Sequence, residues 1–244
     1  MSTKKSEKLS IAENQRKLRN SIHISIPKFS KKLQLSAITI EKYETVHAIP
    51  PLDKMLKIAS FFGISSDFLL LWDRIKYPRS IRLLSLAEKI NAMDVDRWHN
   101  VKTTTVTFLD KKNASREPEI IFDDPEVELT GSVHKNIRLL RNRIDYSQAK
   151  LGRYLSLSPN HISSYETGVS RPPAEKLILM SALFQTSVHA IATGRKLYFK
   201  FSNKDFKDTM LNADYYLDLE KKRFICEMME KIIEKSTSRK SGRN

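Results

Sequence analysis

Two short stretches carry residue types that could do nucleophilic chemistry. SIPK at residues 25–28 and SQAK at 147–150 both match Ser-x-x-Lys, which pairs a serine nucleophile with a lysine in penicillin-recognising enzymes. The Ser-Asp-Asn and Lys-Thr-Gly triplets that complete such sites do not occur in the sequence. Both serines also stand where a helix should begin, so we interpret them as helix N-caps and the lysines as part of a basic rim.

Other residues with catalytic or metal-binding potential lack the spacing that such chemistry needs. The six histidines form no pair of the HExxH kind, and the six glycines form neither a phosphate-binding loop nor a dinucleotide fingerprint. Cys226 is the single cysteine, so no disulfide and no cysteine-based metal site can form within one chain. The sequence predicts a protein that is not an enzyme, with no metal site and no cofactor.

The overall charge points to polyanionic partners. The 244 residues include 43 Lys and Arg against 28 Asp and Glu, a formal net charge of +15. Such an excess favours nucleic acid, an acidic protein or an anionic membrane surface. The longest apolar run, near residues 68–72, is far too short to span a bilayer, and the first ten residues lack the apolar stretch of a signal peptide. These features predict a cytoplasmic protein without a membrane partner.

An internal repeat organises the chain. YETGVSRPP at 165–173 repeats YETVHAIPP at 43–51, and a shift of 122 residues gives 19 identical positions of 49 between residues 14–62 and 136–184. Duplication on this scale indicates two copies of one structural unit. We place the first repeat at residues 11–72 and the second repeat at 133–192.

The apolar spacing and the helix-boundary residues predict about five helices in each repeat. In the second repeat, Ser147 can cap one helix, and Ser158 followed by Pro159 is typical of the start of the next. Gly168 then ends that helix, because glycine enters the left-handed conformation at little cost. Only Ser156, Leu157 and Ser158 join the two helices, and so short a turn suits a helix-turn-helix.

The second repeat carries a set of residues in a fixed order: Leu140, Arg141, Ser147, Gln148, Ile162, Tyr165, Glu166, Gly168 and Pro172. Through these positions, both repeats resemble the lambda-repressor-like, Cro/Xre-type helix-turn-helix domain. The resemblance covers roughly half of the chain. It implies an all-α protein with two tandem five-helix DNA-binding domains, each followed by a helical extension. It also implies a sequence-specific regulator of transcription that binds double-stranded DNA, most simply a repressor of bacterial or phage type.

The resemblance assigns roles to residues of the second repeat. The outward face of its third helix would read base edges in the major groove, through Pro159, Asn160, His161, Ser163 and Ser164. Phosphate contacts would come from Ser147, Gln148, Lys150, Arg153 and Arg171, which position the domain without reading sequence. Arg141 with Glu166, and Arg19 with Glu44 in the first repeat, would form structural ion pairs.

The first repeat departs from this pattern where DNA contact matters. Val46 replaces the helix-ending glycine, Ile26 replaces Gln148, and Ile49 replaces Arg171. Candidate base-reading residues are then Thr39 and Lys42, with Lys28 and Lys31 for phosphate. Two interpretations remain: the first repeat reads a second, different half-site, or it has become a protein-contact surface.

The rest of the chain is assigned from charge and periodicity. We expect helical extensions at 73–112 and 193–235, an acidic linker at 113–132, and a disordered basic tail at 236–244. The linker could lie against a basic surface and mask it, but a solvated spacer is the simpler interpretation. The apolar stripe of the last helix could pack on its own domain or form a homodimer contact. An alternative function is a protein-interaction factor, such as an antitoxin or inhibitor, that binds its partner through the first domain or this C-terminal helix.

Overall fold

The computed structural model describes residues 2–45, 48–71, 79–115, 118 and 120–241, and it describes side chains from residue 11 to 238, Lys112 excepted. These residues form helices and no strand, which confirms the all-α prediction for them. The first half contains α1 (Ser2–Ser21), α2 (Ile26–Leu33), α3 (Ala37–Glu44), α4 (Leu52–Phe62), α5 (Ser66–Leu71), α6 (Ile81–Asn91), α7 (Val95–Phe108) and α8 (Lys111–Ala114). The second half contains α9 (Val133–Arg143), α10 (Gln148–Leu155), α11 (Pro159–Thr167), α12 (Ala174–Phe184), α13 (Val188–Thr193), α14 (Lys204–Tyr216) and α15 (Leu219–Ser241). None of the described helices is long and apolar enough to cross a membrane.

The boundary residues of the second repeat act where the sequence predicts them. In the first repeat, Ser25 directly precedes α2 but its side chain makes no cap hydrogen bond, so the prediction of a side-chain N-cap there is wrong. The Ser147 and Ser158 side chains accept hydrogen bonds from the backbone N–H of Lys150 and His161, which confirms both N-caps. Gly168 ends α11 at φ 80°, in the left-handed region. The equivalent helix of the first repeat, α3, ends instead at Thr45, with φ −111°. Val46, the predicted cause of that difference, lies outside the described residues.

The two repeats share one apolar core. Buried residues of α1–α5 and of α9–α13 form a single continuous cluster. Helix α5 packs against α13, which occupies the same position in the second repeat. At this contact the Asp67 carboxylate accepts hydrogen bonds from the backbone N–H of Val188, at 2.7 Å, and of His189, at 2.9 Å. Asp67 therefore fastens the end of the first repeat to the end of the second.

The two extensions form a second core by packing against each other. The first helix of the first extension, α6, packs on the last helix of the second extension, α15. In the same way α7 packs on α14, so the two extensions form one helical bundle. The hydrogen bonds are reciprocal in the same way. The Asn91 side chain, on α6, accepts from the Ser202 N–H at 2.6 Å, and the Asp214 carboxylate, on α14, accepts from the Ser80 N–H at 2.6 Å.

The apolar stripe of the C-terminal helix, α15, is buried within this bundle. Ile225 and Met229, at the centre of its apolar stripe, are fully buried against the rest of the chain. At these two residues the stripe packs on α6 and α7 of the same chain, so they are not open to a homodimer contact. Phe224, beside them, is 52 % exposed, and a homodimer stays a prediction.

The acidic segment and the tail also differ from expectation. Asp123, within the predicted spacer, is 1 % exposed. Its carboxylate accepts from the Thr186 hydroxyl and from the backbone N–H of Ser187, each at 2.7 Å, so this part of the linker is a packed element. Helix α15 runs to Ser241, because no glycine or proline interrupts residues 219–241. The tail is thus helical to that point, and residues 72–78 and 242–244 lie outside the described parts.

Candidate DNA-binding surface

Helices α10 and α11 pack closely across a three-residue turn. Ser156 takes the left-handed conformation, at φ 55°, and the Leu157 N–H donates to the Gly152 carbonyl at 2.8 Å. A Cβ atom on Gly152 would lie 2.7 Å from the Leu157 carbonyl oxygen, which is too close for an unaltered turn. Sequence reasoning missed Gly152, although a glycine inside a helix of eight residues is a signal of close backbone approach.

A buried hydrogen-bond network fixes the angle of α11. The Arg141 guanidinium meets the Glu166 carboxylate at 2.5 and 3.0 Å, and it also donates to the Tyr146 carbonyl oxygen at 2.5 Å. The Gln148 amide donates to the same carboxylate at 2.9 Å. The hydrogen bond that Arg141 donates to Glu166 raises the pKa of Arg141. One carboxylate near the end of α11 is thereby joined to α9 and to the start of α10.

The first repeat contains the same pair without its third member. Arg19 meets Glu44 through two contacts of 2.8 Å and donates to the Ile24 carbonyl at 2.8 Å. Hydrogen bonding to Glu44 raises the pKa of Arg19. Ile26 stands where the second repeat has Gln148, and its side chain packs against the apolar core. Helix α3 therefore lacks the hydrogen bond that joins α11 to the start of α10 through Gln148.

The predicted base-reading residues lie on the outward side of α11. Pro159, Asn160 and His161 are exposed, whereas Ser163 and Ser164 are half-buried. Ile162 and Tyr165 face the core at 0 % and 7 % exposure, so the predicted division of the helix into two faces is present.

These outward side chains differ in how free they are to bind. Within the described residues, no hydrogen bond engages the Asn160 amide. One ring nitrogen of His161 lies 2.8 Å from the Ser158 hydroxyl, which orients the ring and leaves the other nitrogen to a ligand. The Ser164 hydroxyl already donates to the Asn160 carbonyl at 2.9 Å. Among these side chains, Asn160 and His161 thus keep the most hydrogen-bonding capacity for a ligand.

The surroundings of α11 carry positive charge. Lys150, Arg153 and Arg171 are all exposed. Between residues 146 and 173 the sequence has one carboxylate, Glu166, and that side chain is 3 % exposed. A polyanion approaching this surface meets cations and no exposed acid from this segment. Ser147 and Gln148 differ from the three cations, because their side chains are held by the N-cap bond and by Glu166.

The corresponding surface of α3 has a different character. Ile38, which aligns with Asn160 under the 122-residue shift, is 64 % exposed. The Thr39 hydroxyl lies 2.7 Å from that of Ser36, and Lys42 is exposed beside the exposed Glu41. Lys28 and Lys31 are exposed on α2. This face combines an apolar group, a carboxylate and cations. Helix α11 presents polar side chains and Pro159, with cations beside it on α10 and at Arg171, and with the exposed Val169 after its end.

Comparison with known proteins assigns the central part of the second repeat. The model of the helix-turn-helix family matches residues 137–191, from the second turn of α9 into α13. No curated protein and no solved structure matches the chain. The family match supports a DNA-binding regulator of transcription of the Xre helix-turn-helix type, with DNA as its partner.

Proposed function

We propose that the protein is a sequence-specific regulator of transcription that inserts α11 into the major groove of double-stranded DNA. One observation carries the proposal: α11 presents an outward face free of carboxylates, flanked by exposed cations and held by the buried Arg141, Glu166 and Gln148 network. A recognition helix needs both properties. Positive charge supplies affinity for phosphate, and a fixed orientation lets side chains reach defined base edges.

Two side chains provide direct readout in this proposal. The Asn160 amide pairs with adenine, whose major-groove edge offers one donor and one acceptor. His161, oriented through Ser158, donates to or accepts from a neighbouring base. Pro159, Ser163 and Ser164 shape the contact around them. Lys150, Arg153 and Arg171 bind phosphates, with Ser147 and Gln148 at the start of α10 near the backbone.

A single chain supplies both halves of the DNA-binding unit. The reciprocal contacts between the extensions, and the α5–α13 contact between the repeats, support an arrangement in which the two tandem domains are paired as two subunits of a dimer would be. The first domain then reaches a second half-site about one helical turn away through Thr39 and Lys42, with Lys28 and Lys31 on phosphates. Because α3 and α11 present different side chains, the preferred site is asymmetric. Occupation of such a site blocks access to a promoter, which makes the protein a repressor.

The test is selection from a random duplex library with the purified protein, followed by a salt titration on the selected sequence. We expect a motif of two unlike halves. The Asn160→Ala/His161→Ala variant should lose the half read by α11, at about 1–3 kcal/mol for each base contact removed. The matched control is His99→Ala/Asn100→Ala, which removes the same two residue types from the exposed surface of α7. That control should leave the motif unchanged.

Other outcomes would contradict the proposal. Binding that falls steeply with salt but enriches no motif would reduce the surface to nonspecific phosphate attraction. Equal losses of specific and nonspecific binding in the α11 variant would show that Asn160 and His161 do not read bases. A motif with a single half would leave the second domain as the DNA reader and point to a protein partner for the exposed Ile38 face.

A further inference from the structure

A cavity of about 880 Å³ lies where the two halves of the chain meet. Its walls come from α4 and α6 of the first half, and from α13 and residues 195–199 of the second. Ligand sites favour such positions between domains, and the volume lies within the range that binds small molecules. The DNA-binding surface does not use any of these residues.

The lining joins an apolar wall to a cationic rim. Leu56, Ile64, Ile81, Leu197 and Phe199 supply the apolar wall. Such a lining suits a ligand with a hydrocarbon or aromatic body.

The charged groups of the lining are unequal in number. Three cations, Arg82, Arg195 and Lys196, face one carboxylate, Glu88. Arg82 is already paired with Glu230 at 2.9 Å, and the Lys196 ammonium donates to the Pro125 carbonyl. Within the described residues, no hydrogen bond or ion pair engages the Arg195 guanidinium. Arg195 is thus the cation most open to a new partner, with the remaining donors of Lys196 next to it.

His189, which also lines the cavity, adds no positive charge near neutral pH. The pKa of its imidazole is lowered to about 4, chiefly by burial; the Asp123 charge opposes this shift and the Arg195 charge adds to it. The attraction for an anion therefore comes from the rim cations and not from this ring.

We propose that this cavity binds a small organic anion, with its apolar body against the wall and its carboxylate, sulfonate or phosphate group at Arg195 and Lys196. An occupant would contact both halves of the chain and would favour the arrangement in which the two repeats are held here. It therefore suits the role of an effector of DNA binding. That role rests on the proposed function, whereas anion binding itself does not.

The experiment is a fluorescence titration of the DNA-free protein with 8-anilinonaphthalene-1-sulfonate. We expect saturation at one site per chain. N-phenyl-1-naphthylamine, which has the same rings without the sulfonate, should bind more weakly. The Arg195→Gln/Lys196→Gln variant should weaken binding of the sulfonate about tenfold, as expected for two partly solvated charge contacts, and should leave the neutral probe unchanged.

Two further variants complete the test. Lys200→Gln removes a neighbouring exposed cation whose side chain does not line the cavity, and it should have no effect. Ser85→Trp fills the cavity from α6 and should abolish binding of both probes. Fluorescence that does not saturate, or that all variants leave unchanged, would overturn the proposal, as would equal affinity for the two probes. The titration contains no DNA. Its result is therefore independent of the DNA selection, and either experiment can fail while the other succeeds.

Discussion

Removing the Asp214 carboxylate should destabilise the protein more than any comparable change at the junction of the two extensions. Asp214 is fully buried on α14. Its two oxygens accept from the backbone N–H of Arg79, at 2.7 Å, and of Ser80, at 2.6 Å. The buried ammonium of Lys222 lies 3.8 Å from the same carboxylate. Asp214→Ala leaves two buried backbone donors and a buried cation without this acceptor.

The expected loss of stability in Asp214→Ala follows from these two hydrogen bonds and the ion pair. Breaking a buried ion pair by removing one partner costs about 3–5 kcal/mol, because the remaining charge stays buried. The equivalent change in the other extension, Asn91→Ala, removes a neutral acceptor from the Ser202 N–H and hydroxyl, at 2.6 and 3.0 Å. Unsatisfied neutral donors cost about 1–3 kcal/mol. The two variants should therefore differ by about 2 kcal/mol, although each removes an acceptor from the backbone N–H of a serine in the other extension.

Urea unfolding followed by far-UV circular dichroism measures the free energy of unfolding of both variants. In thermal melts of a chain of this size, we expect the melting temperature of Asp214→Ala to fall by about 6–20 °C. Combining Asp214→Asn with Lys222→Met removes both charges together and should recover much of the loss. If Asp214→Ala costs no more than Asn91→Ala, or if the double variant is no better than Asp214→Ala, the buried charge of Lys222 does not add to the cost of losing the Asp214 carboxylate.

Three other changes test the same structure. Gly168→Ala should lower the stability of the folded protein by about 1–2 kcal/mol in thermal melts, because alanine resists the φ of 80° at the end of α11. The control is Gly131→Ala, whose Cβ would meet no atom within 4 Å, and it should cost less than half as much. Asp67→Asn should change the pH dependence of unfolding. Burial raises the pKa of Asp67 to about 7, above its unfolded value of 3.8, so the wild type should lose stability relative to the variant as pH rises from 4 to 7, by at most about 4 kcal/mol. The variant should instead gain stability up to about pH 6.5, because burial lowers the pKa of His189 to about 4, and equal pH profiles for the two proteins would contradict both assignments. Arg171→Ala should reduce the slope of log affinity against log salt by about 1 for every DNA sequence alike, and a loss confined to the selected site would mean that Arg171 reads a base.

Much of the candidate site could be predicted from the sequence because its signals are local. Ser158 and Pro159 start α11, Gly168 ends it, and the helical period turns Ile162 inward and Asn160 outward. Each of these effects depends on residues within one or two turns of helix. Gly152 shows the limit of such reasoning, since the reason for a glycine there is the Leu157 carbonyl oxygen across the turn.

The sequence by itself determined the repeat, the helical composition of the chain and the polar outward face of α11 with cations on either side of it. Only the tertiary structure decided what covers each apolar stripe and which acids are buried. From the sequence, the apolar stripe on α15 indicates that this side of the helix is covered, but not by which helix. In the structure α6 and α7 cover it, and both lie more than 100 residues away in the sequence. Asp123 appears in the sequence as one charge among several in an acidic segment, yet it is buried because Thr186 and Ser187 present donors to it. The physical reason is the same in both cases: caps and backbone conformations are short-range effects, whereas burial depends on surfaces that meet only after the chain has folded.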